Sequence, residues 1–274
     1  MRIQKLQTVD AFVAVDLDGA PGRGIVRLAP RVLQGGAKDL ARSITYTLAS
    51  IGLQETGISA GISAAPEERE TALTSFVAEL AQWETEFQLS AGKGVANEDL
   101  GLTPDPDHDR LLAVGVVAAG LVAIPGATTA IIEGPGGGSA LAEELVLQGI
   151  EIVVSENPLT AEADLLFCGS TMGLIDHEVA DRLAVAAVVP TGPLPITTRA
   201  VAHCRRREIT ALPDFVTTAG PFLGDVDTTR EVVTGIIGDV IDHDEGAVLG
   251  ASKRAEVFLA TWQDELPFGR PMAP

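Results

Sequence analysis

Lysine, cysteine and aromatic residues are all scarce in this 274-residue sequence. Lysine occurs only at Lys5, Lys38, Lys93 and Lys253, and 19 basic residues face 38 acidic ones, for a formal charge of −19. That balance excludes broad nucleic-acid binding and argues against docking on anionic membranes, because both need a cationic surface. The two cysteines, Cys168 and Cys204, exclude a disulfide framework and a cysteine-rich zinc site. Each sits in an apolar or mixed stretch and reads as a small buried hydrophobe. The most apolar stretch, Leu111 to Ala123, is too short to span a bilayer. The N-terminal MRIQKLQTVDAF has no signal-peptide apolar core, so the expected compartment is the cytoplasm.

What is present is a folded globular composition, 46% hydrophobic and 21% charged, with enough length for one large domain or two ordinary ones. Ala11 to Leu17 alternates as a strand, Gly19 to Gly22 punctuates it, and Gly24 to Leu28 reads as its partner strand. Leu40, Ile44, Leu48 and Ile51 fall at helical spacing. A second helix opens at Pro66, with Leu73, Phe76, Val77, Leu80 and Phe87 as its buried stripe. Residues 89–110 read as a polar loop. From Thr128 onward, short apolar strands alternate with short helices, the pattern of a parallel α/β sheet. Two amphipathic helices fill Val226 to Trp262. The expected domains are 1–123, 124–225 and a helical tail, 226–274, packing back on the first.

The most specific local feature is a strand at Thr128 to Ile132 followed by Gly134, Gly136, Gly137, Gly138 and Ser139, then a helix, then an apolar run ending near Glu156. This is the order of a dinucleotide-binding turn. Glycines allow the tight turn and the close approach of a pyrophosphate, the helix N-terminus offers unpaired N–H groups, and an acid about twenty residues on meets the ribose. A glycine-rich strand-to-helix turn that binds nothing is the alternative.

Five segments in order resemble the Glu/Leu/Phe/Val amino-acid dehydrogenase family. ARSITYTLASIGLQETGISAGI (Ala41 to Ile62) resembles ARxMTYKxAxxGLPxGGxKGGI, and APGRGIVRLAP (Ala20 to Pro30) resembles GPAKGGIRFHP. ANEDLG (Ala96 to Gly101) is similar to TAEDVG, which carries a catalytic aspartate, here Asp99. The glycine turn stands where GxGNVG falls, and LPDFVTTAG (Leu212 to Gly220) resembles APDYVxNAG. The resemblance implies an α/β chain: an N-terminal substrate and oligomerisation domain, then a doubly wound Rossmann-type sheet. It implies an oxidoreductase scaffold acting on an amino or keto acid in an interdomain cleft with NAD or NADP, and a homo-oligomer, a dimer or larger.

The departures are as informative. Thr47 stands where the family has the lysine that holds the substrate carboxylate, and Ser59 where it has the lysine that serves deamination. Thr218 replaces an asparagine, and Thr191-Gly192-Pro193 replaces a Gly-Ala-Asn stretch. Asp99 and Arg27 survive, and Arg27 and Thr218 are the candidate substrate-binding groups. Few residues separate Glu156 from Asp164, so half of the Rossmann sheet is expected to be trimmed. Lysine-assisted oxidative deamination needs a tuned acid–base pair and charge stabilisation that neither replacement supplies. The expectation is a divergent protein with Asp99, Ser59 and Thr47 at the catalytic positions. The alternatives are a non-catalytic pseudoenzyme or partner subunit of an active dehydrogenase, and an ordinary NAD(P)-dependent amino-acid dehydrogenase. NAD or NADP binding is either kept or lost.

Other constellations read as structural. The acidic clusters at Asp105 to Asp109 and Asp242 to Glu245 match no metal-site spacing and read as solvated charge. Asp176-His177-Glu178 suits a helix start, and Arg205-Arg206-Arg207 a helix end. Gly57-Ile58-Ser59-Ala60-Gly61 matches G-x-S-x-G formally but lacks the strand-to-helix elbow of a hydrolase.

Overall fold

The computed structural model describes residues 1–83 and 87–273. The chain divides into two units: Met1–Asp105 with Leu259–Arg270, and Pro106–Phe258 with the last residues from Pro271. The helix over Leu111 to Ala123 and most of the C-terminal helical stretch thus group with the second unit, whereas the expected boundary lay near residue 124.

The first unit is built on a sheet of β1 (Arg2–Lys5), β2 (Ala11–Val15), β3 (Gly22–Ala29), β4 (Thr56–Ser63) and β5 (Phe87–Ala91), in the order β1-β2-β4-β3-β5. Strand β4 is central, antiparallel to β2 and parallel to β3. The expected pairing of the second and third strands is therefore replaced, because β4 inserts between them. Phe87 belongs to β5 and not to the preceding helix, and residues 89–110 hold the end of β5, a 3-10 turn at Glu98–Leu100 and a helix start.

Period-2 alternation sends Val13, Val15, Val26, Ile58, Ala60 and Ile62 to one sheet face, where they pack on Leu73 and Phe76 of α2 (Arg69–Leu80). The other face receives α1 (Gln34–Ser50), buried continuously from Leu40 to Ser50. Gly57 permits that approach: a Cβ there would lie 1.9 Å from the Ala41 carbonyl oxygen. Its N–H donates to Thr45 Oγ1 at 2.9 Å.

The second unit has an all-parallel sheet of β6 (Thr129–Glu133), β7 (Glu151–Ile152), β8 (Glu162–Cys168), β9 (Ala184–Pro190) and β10 (Thr210–Ala211), ordered β10-β9-β8-β6-β7. Its helices are α3 (His108–Ala123), α4 (Gly138–Leu147), α5 (His177–Ala180), α6 (Thr198–Arg206), α7 (Asp214–Thr217), α8 (Gly220–Leu223), α9 (Val226–Val240) and α10 (Ala247–Leu259). Both faces are covered, so β9 and the last four residues of β8, Leu165 to Cys168, are apolar. Leu165, Phe167 and Val189 meet α3 at Gly120, while Leu166, Cys168 and Val188 pack with Ala180, Ala200 and Cys204 under α5 and α6. Helix α3 also packs on α4 and α9.

Among the described residues, the strand order is that of a doubly wound Rossmann sheet lacking only the strand that would flank β7. The trimming is one strand of six, less than the expected half. No helix among the described residues is long and apolar enough to cross a membrane.

Candidate functional site

In the first unit the register places Ile25 and Ala14 beside Ser59, and Gly61 beside Arg27, all on the α1 face. Ser59 lies mid-strand and fully buried, not at a strand-to-helix elbow. An Arg27 terminal nitrogen donates to Ser59 Oγ at 3.3 Å. Arg27 Nε is buried with no partner, and among the described residues Arg27 is in no ion pair. Burial lowers the Arg27 pKa from the usual arginine value. Arginine starts so high that the group remains cationic.

Thr47, on α1, donates its hydroxyl to the Ser43 carbonyl at 3.1 Å. That bond satisfies the hydroxyl within its own helix. Among the described residues no hydrogen bond joins Thr47 to Ser59 or Arg27.

Asp99 sits in the 3-10 turn and accepts from Arg69 of α2, at 3.2 Å from Nη1 and in a shorter bond from Nη2. It also accepts the Ala96 N–H at 2.7 Å. The Arg69 hydrogen bond, then that of Ala96, holds the carboxyl below the usual carboxylate range. An acid so paired stays ionised at neutral pH and is a weak proton acceptor. The partner Arg69 lies thirty residues upstream and no motif signals it.

In the second unit β6 runs into the glycine turn and α4. Gly134, Gly137 and Gly138 take left-handed φ values of 80°, 78° and 53°. Each glycine also meets protein: Cβ atoms at Gly134 and Gly136 would lie 2.7 Å from Ser170 Cβ and 2.4 Å from Thr191 Oγ1, and one at Gly138 3.2 Å from an Asp109 carboxylate oxygen. Thr191, at the end of β9, is buried with its hydroxyl unpartnered. Ser139 is the second residue of α4 and exposed.

The crevice between the C-terminal ends of β6 and β8 is the switch point where ligands bind open α/β sheets. Here Glu133 bridges it. Its carboxylate accepts the N–H groups of Gly169 at 3.2 Å and Ser170 at 3.3 Å, and the Ser170 hydroxyl. The signal for Glu133 was one acidic residue directly before the first glycine. Strand β7 ends at Ile152, so Glu156 lies four residues beyond it, exposed. Thr218 follows α7 and donates to the Asp214 carbonyl at 2.8 Å, while neighbouring Thr217 donates to Pro190 at the end of β9 at 2.7 Å.

Burial raises the thiol pKa of Cys168 strongly and pushes Cys204 up to about 11, so both are inert at neutral pH. Asp176 caps α5, accepting the Val179 N–H at 2.8 Å. No group of three metal-ligating side chains occurs among the described residues.

No protein-family model matches the sequence, and no curated protein matches it. Solved structures do. A glutamate dehydrogenase is 16% identical with a TM-score of 0.77, over 93% of this chain and 81% of that one. The hetero-hexameric glutamate dehydrogenase of Thermus thermophilus in a Leu-bound form is 18% identical, TM-score 0.74, over 94% and 86%. The L-tryptophan dehydrogenase of Nostoc punctiforme is 16% identical, TM-score 0.71, over 95% of both chains. Nearly the whole chain superposes on these enzymes, and its fold is the amino-acid dehydrogenase fold.

Proposed function

We propose that this is a divergent amino-acid-dehydrogenase-like protein that takes an amino- or imino-acid-like small molecule by its carboxylate on Arg27, without lysine-assisted oxidative deamination. The observation that carries the reading is the Arg27 guanidinium, buried at Nε, unpaired, and backed by Ser59. A half-buried cation without a counter-charge is unbalanced, and a carboxylate supplies a charge-assisted partner. Neither Ser59 nor Thr47 carries a charge, and Asp99 is held ionised by Arg69. These features argue against the acid–base chemistry of deamination.

The surroundings of the glycine turn do not fit the dinucleotide that the fold implies. The backbone has the form of an anion-binding turn, but the Glu133 and Asp109 carboxylates stand at its mouth. Two like charges oppose a pyrophosphate there. Among the described residues, the adenosine side has a two-residue β7 and no flanking strand. No redox step is assigned to this chain. The same features favour, as a second reading, a non-catalytic subunit accompanying an active dehydrogenase. The hetero-hexameric neighbour gives a precedent for mixed assembly in this fold.

The test is calorimetric titration with α-keto acids, which carry the carboxylate and no ammonium, on the wild type and Arg27→Met. The substitution is expected to weaken binding by about tenfold or more, the worth of one charge-assisted hydrogen bond. Unchanged binding in Arg27→Met would sink the carboxylate reading. Amino-acid-dependent reduction of NAD or NADP by the wild type would restore the ordinary dehydrogenase.

A further inference from the structure

The second unit holds a cavity of about 240 Å³ beside the edge strand β10, between the end of α6 and the turn from α9 to α10. It shares no lining residue with the glycine turn, Ser170 or Thr191. Arg205, Glu208, Ile209, Ile241, His243 and Val248 line it. Its volume exceeds the roughly 150 Å³ that admits a benzene ring and falls below the roughly 300–1,000 Å³ of drug-sized sites. That range suits a molecule the size of a single amino acid and excludes a dinucleotide.

The charges are of both signs. Arg205 donates one nitrogen to the Asp244 carbonyl. Among the described residues neither Arg205 nor Glu208 is in an ion pair, although they lie three apart at the end of α6. Glu208 takes a left-handed φ of 58°, unusual for a residue with a side chain. Its N–H donates to the Arg205 carbonyl at 3.1 Å as the chain turns into β10.

His243 is built in. Its Nδ1 accepts the Glu245 N–H at 3.1 Å, so in the neutral ring the proton sits on Nε2 as a donor. Gly250 makes room for the ring, since a Cβ there would lie 2.8 Å from His243 Cβ. Glu245, the other acid at the rim, pairs with Lys253.

We infer that this cavity binds a zwitterionic α-amino acid with a small apolar side chain. Arg205 and His243 take the carboxylate, Glu208 takes the ammonium, and Ile209, Ile241 and Val248 cover the side chain. The inference does not rest on Arg27, and its test removes that site.

Full-length Arg27→Met is titrated with L-leucine, with the matching α-keto acid, which lacks the ammonium, and with 3-methylbutylamine, which lacks the carboxylate. Leucine is expected to bind once per chain, about tenfold or more tighter than either analogue, one charged contact being worth that factor. Arg205→Met and Glu208→Gln, both at exposed positions, are each expected to weaken leucine by a similar factor. Three outcomes overturn the inference: no leucine binding at millimolar concentration, equal binding of all three compounds, or leucine binding unmoved by both substitutions. The analogue series on otherwise unaltered cavity residues keeps the test decisive should a variant fold poorly.

Discussion

The carboxylate of Glu133 and the hydroxyl of Ser170 are hydrogen-bonded across the crevice between β6 and β8, and the same carboxylate takes the Gly169 and Ser170 N–H groups. Donors of that kind are what a dinucleotide-binding sheet edge presents to a ligand. In this chain they are spent on an internal anion. The expected result is that NAD, NADH, NADP and NADPH leave the wild-type melting temperature unchanged. Removing both carboxylates in Glu133→Gln/Asp109→Asn should produce a rise, because the turn's backbone is otherwise of the binding form. A wild-type shift of the size given by saturating ligand, about 2.7 kcal/mol at a hundredfold excess over Kd, would refute the blocked-turn account.

Arg42 and Asp16 form a buried ion pair in the first unit, with 2.7 Å between Nε and Oδ2. The remaining nitrogen of Arg42 donates to the carbonyls of Phe268 and Gly269, tying the returning C-terminal segment to α1. Removing one partner strands a buried charge, so Arg42→Met should cost about 3–5 kcal/mol in chemical denaturation. Arg42→Met/Asp16→Leu should recover much of that loss. Limited proteolysis should cut near Phe268 faster in both variants, since neither restores the donor to those carbonyls.

The five segments that carry the family resemblance were legible because turns and close packing restrict residue choice locally, as at Gly57 and Gly134. Partners distant in sequence were not. Nothing in Ala11 to Leu28 says that β4 will insert between β2 and β3, since alternation sets a strand's faces and not its neighbours. Helix α3 gave no amphipathic signal, because ten consecutive residues from Leu111 to Gly120 are buried. Phe87 extended a helical stripe on paper because it lies seven residues, two helical turns, after Leu80, a spacing that recurs by chance in short windows. The carboxylate at Glu133 escaped notice because the turn pattern concerns glycines, while the electrostatics depend on the residue before them.

Asp99 gives a pH signature. Its hydrogen bond from Arg69 depresses the folded-state pKa below the unfolded value of about 3.9. A depressed carboxylate contributes stability that is present above the unfolded pKa and lost as pH falls through the folded one. Asp99→Asn should therefore melt below the wild type from about pH 5 upward, and the gap should close as the pH drops below about 4. A gap that persists in acid would mean the side chain acts by shape and not by charge. The same depressed pKa predicts that no activity of this protein shows an Asp99 inflection near neutral pH.

Two glycines separate backbone crowding from backbone freedom. At Gly57 a methyl group would meet the Ala41 carbonyl oxygen at 1.9 Å and the Thr45 nitrogen at 2.5 Å, both in the backbone of α1. Neither can yield without moving the helix off β4, so Gly57→Ala should cost about 3 kcal/mol or more. It should also weaken carboxylate binding, because Arg27 and Ser59 share that sheet face. Gly235 lies exposed inside α9 with nothing within 4 Å of its would-be Cβ and no left-handed φ. Gly235→Ala should stabilise by about 0.5–1 kcal/mol, through the smaller entropy of the unfolded chain and better helix propensity. Denaturation of Gly57→Ala checks the packing of α1 on β4 directly: a tolerated substitution would mean that the helix does not sit against β4 as closely as the Ala41 and Thr45 contacts place it.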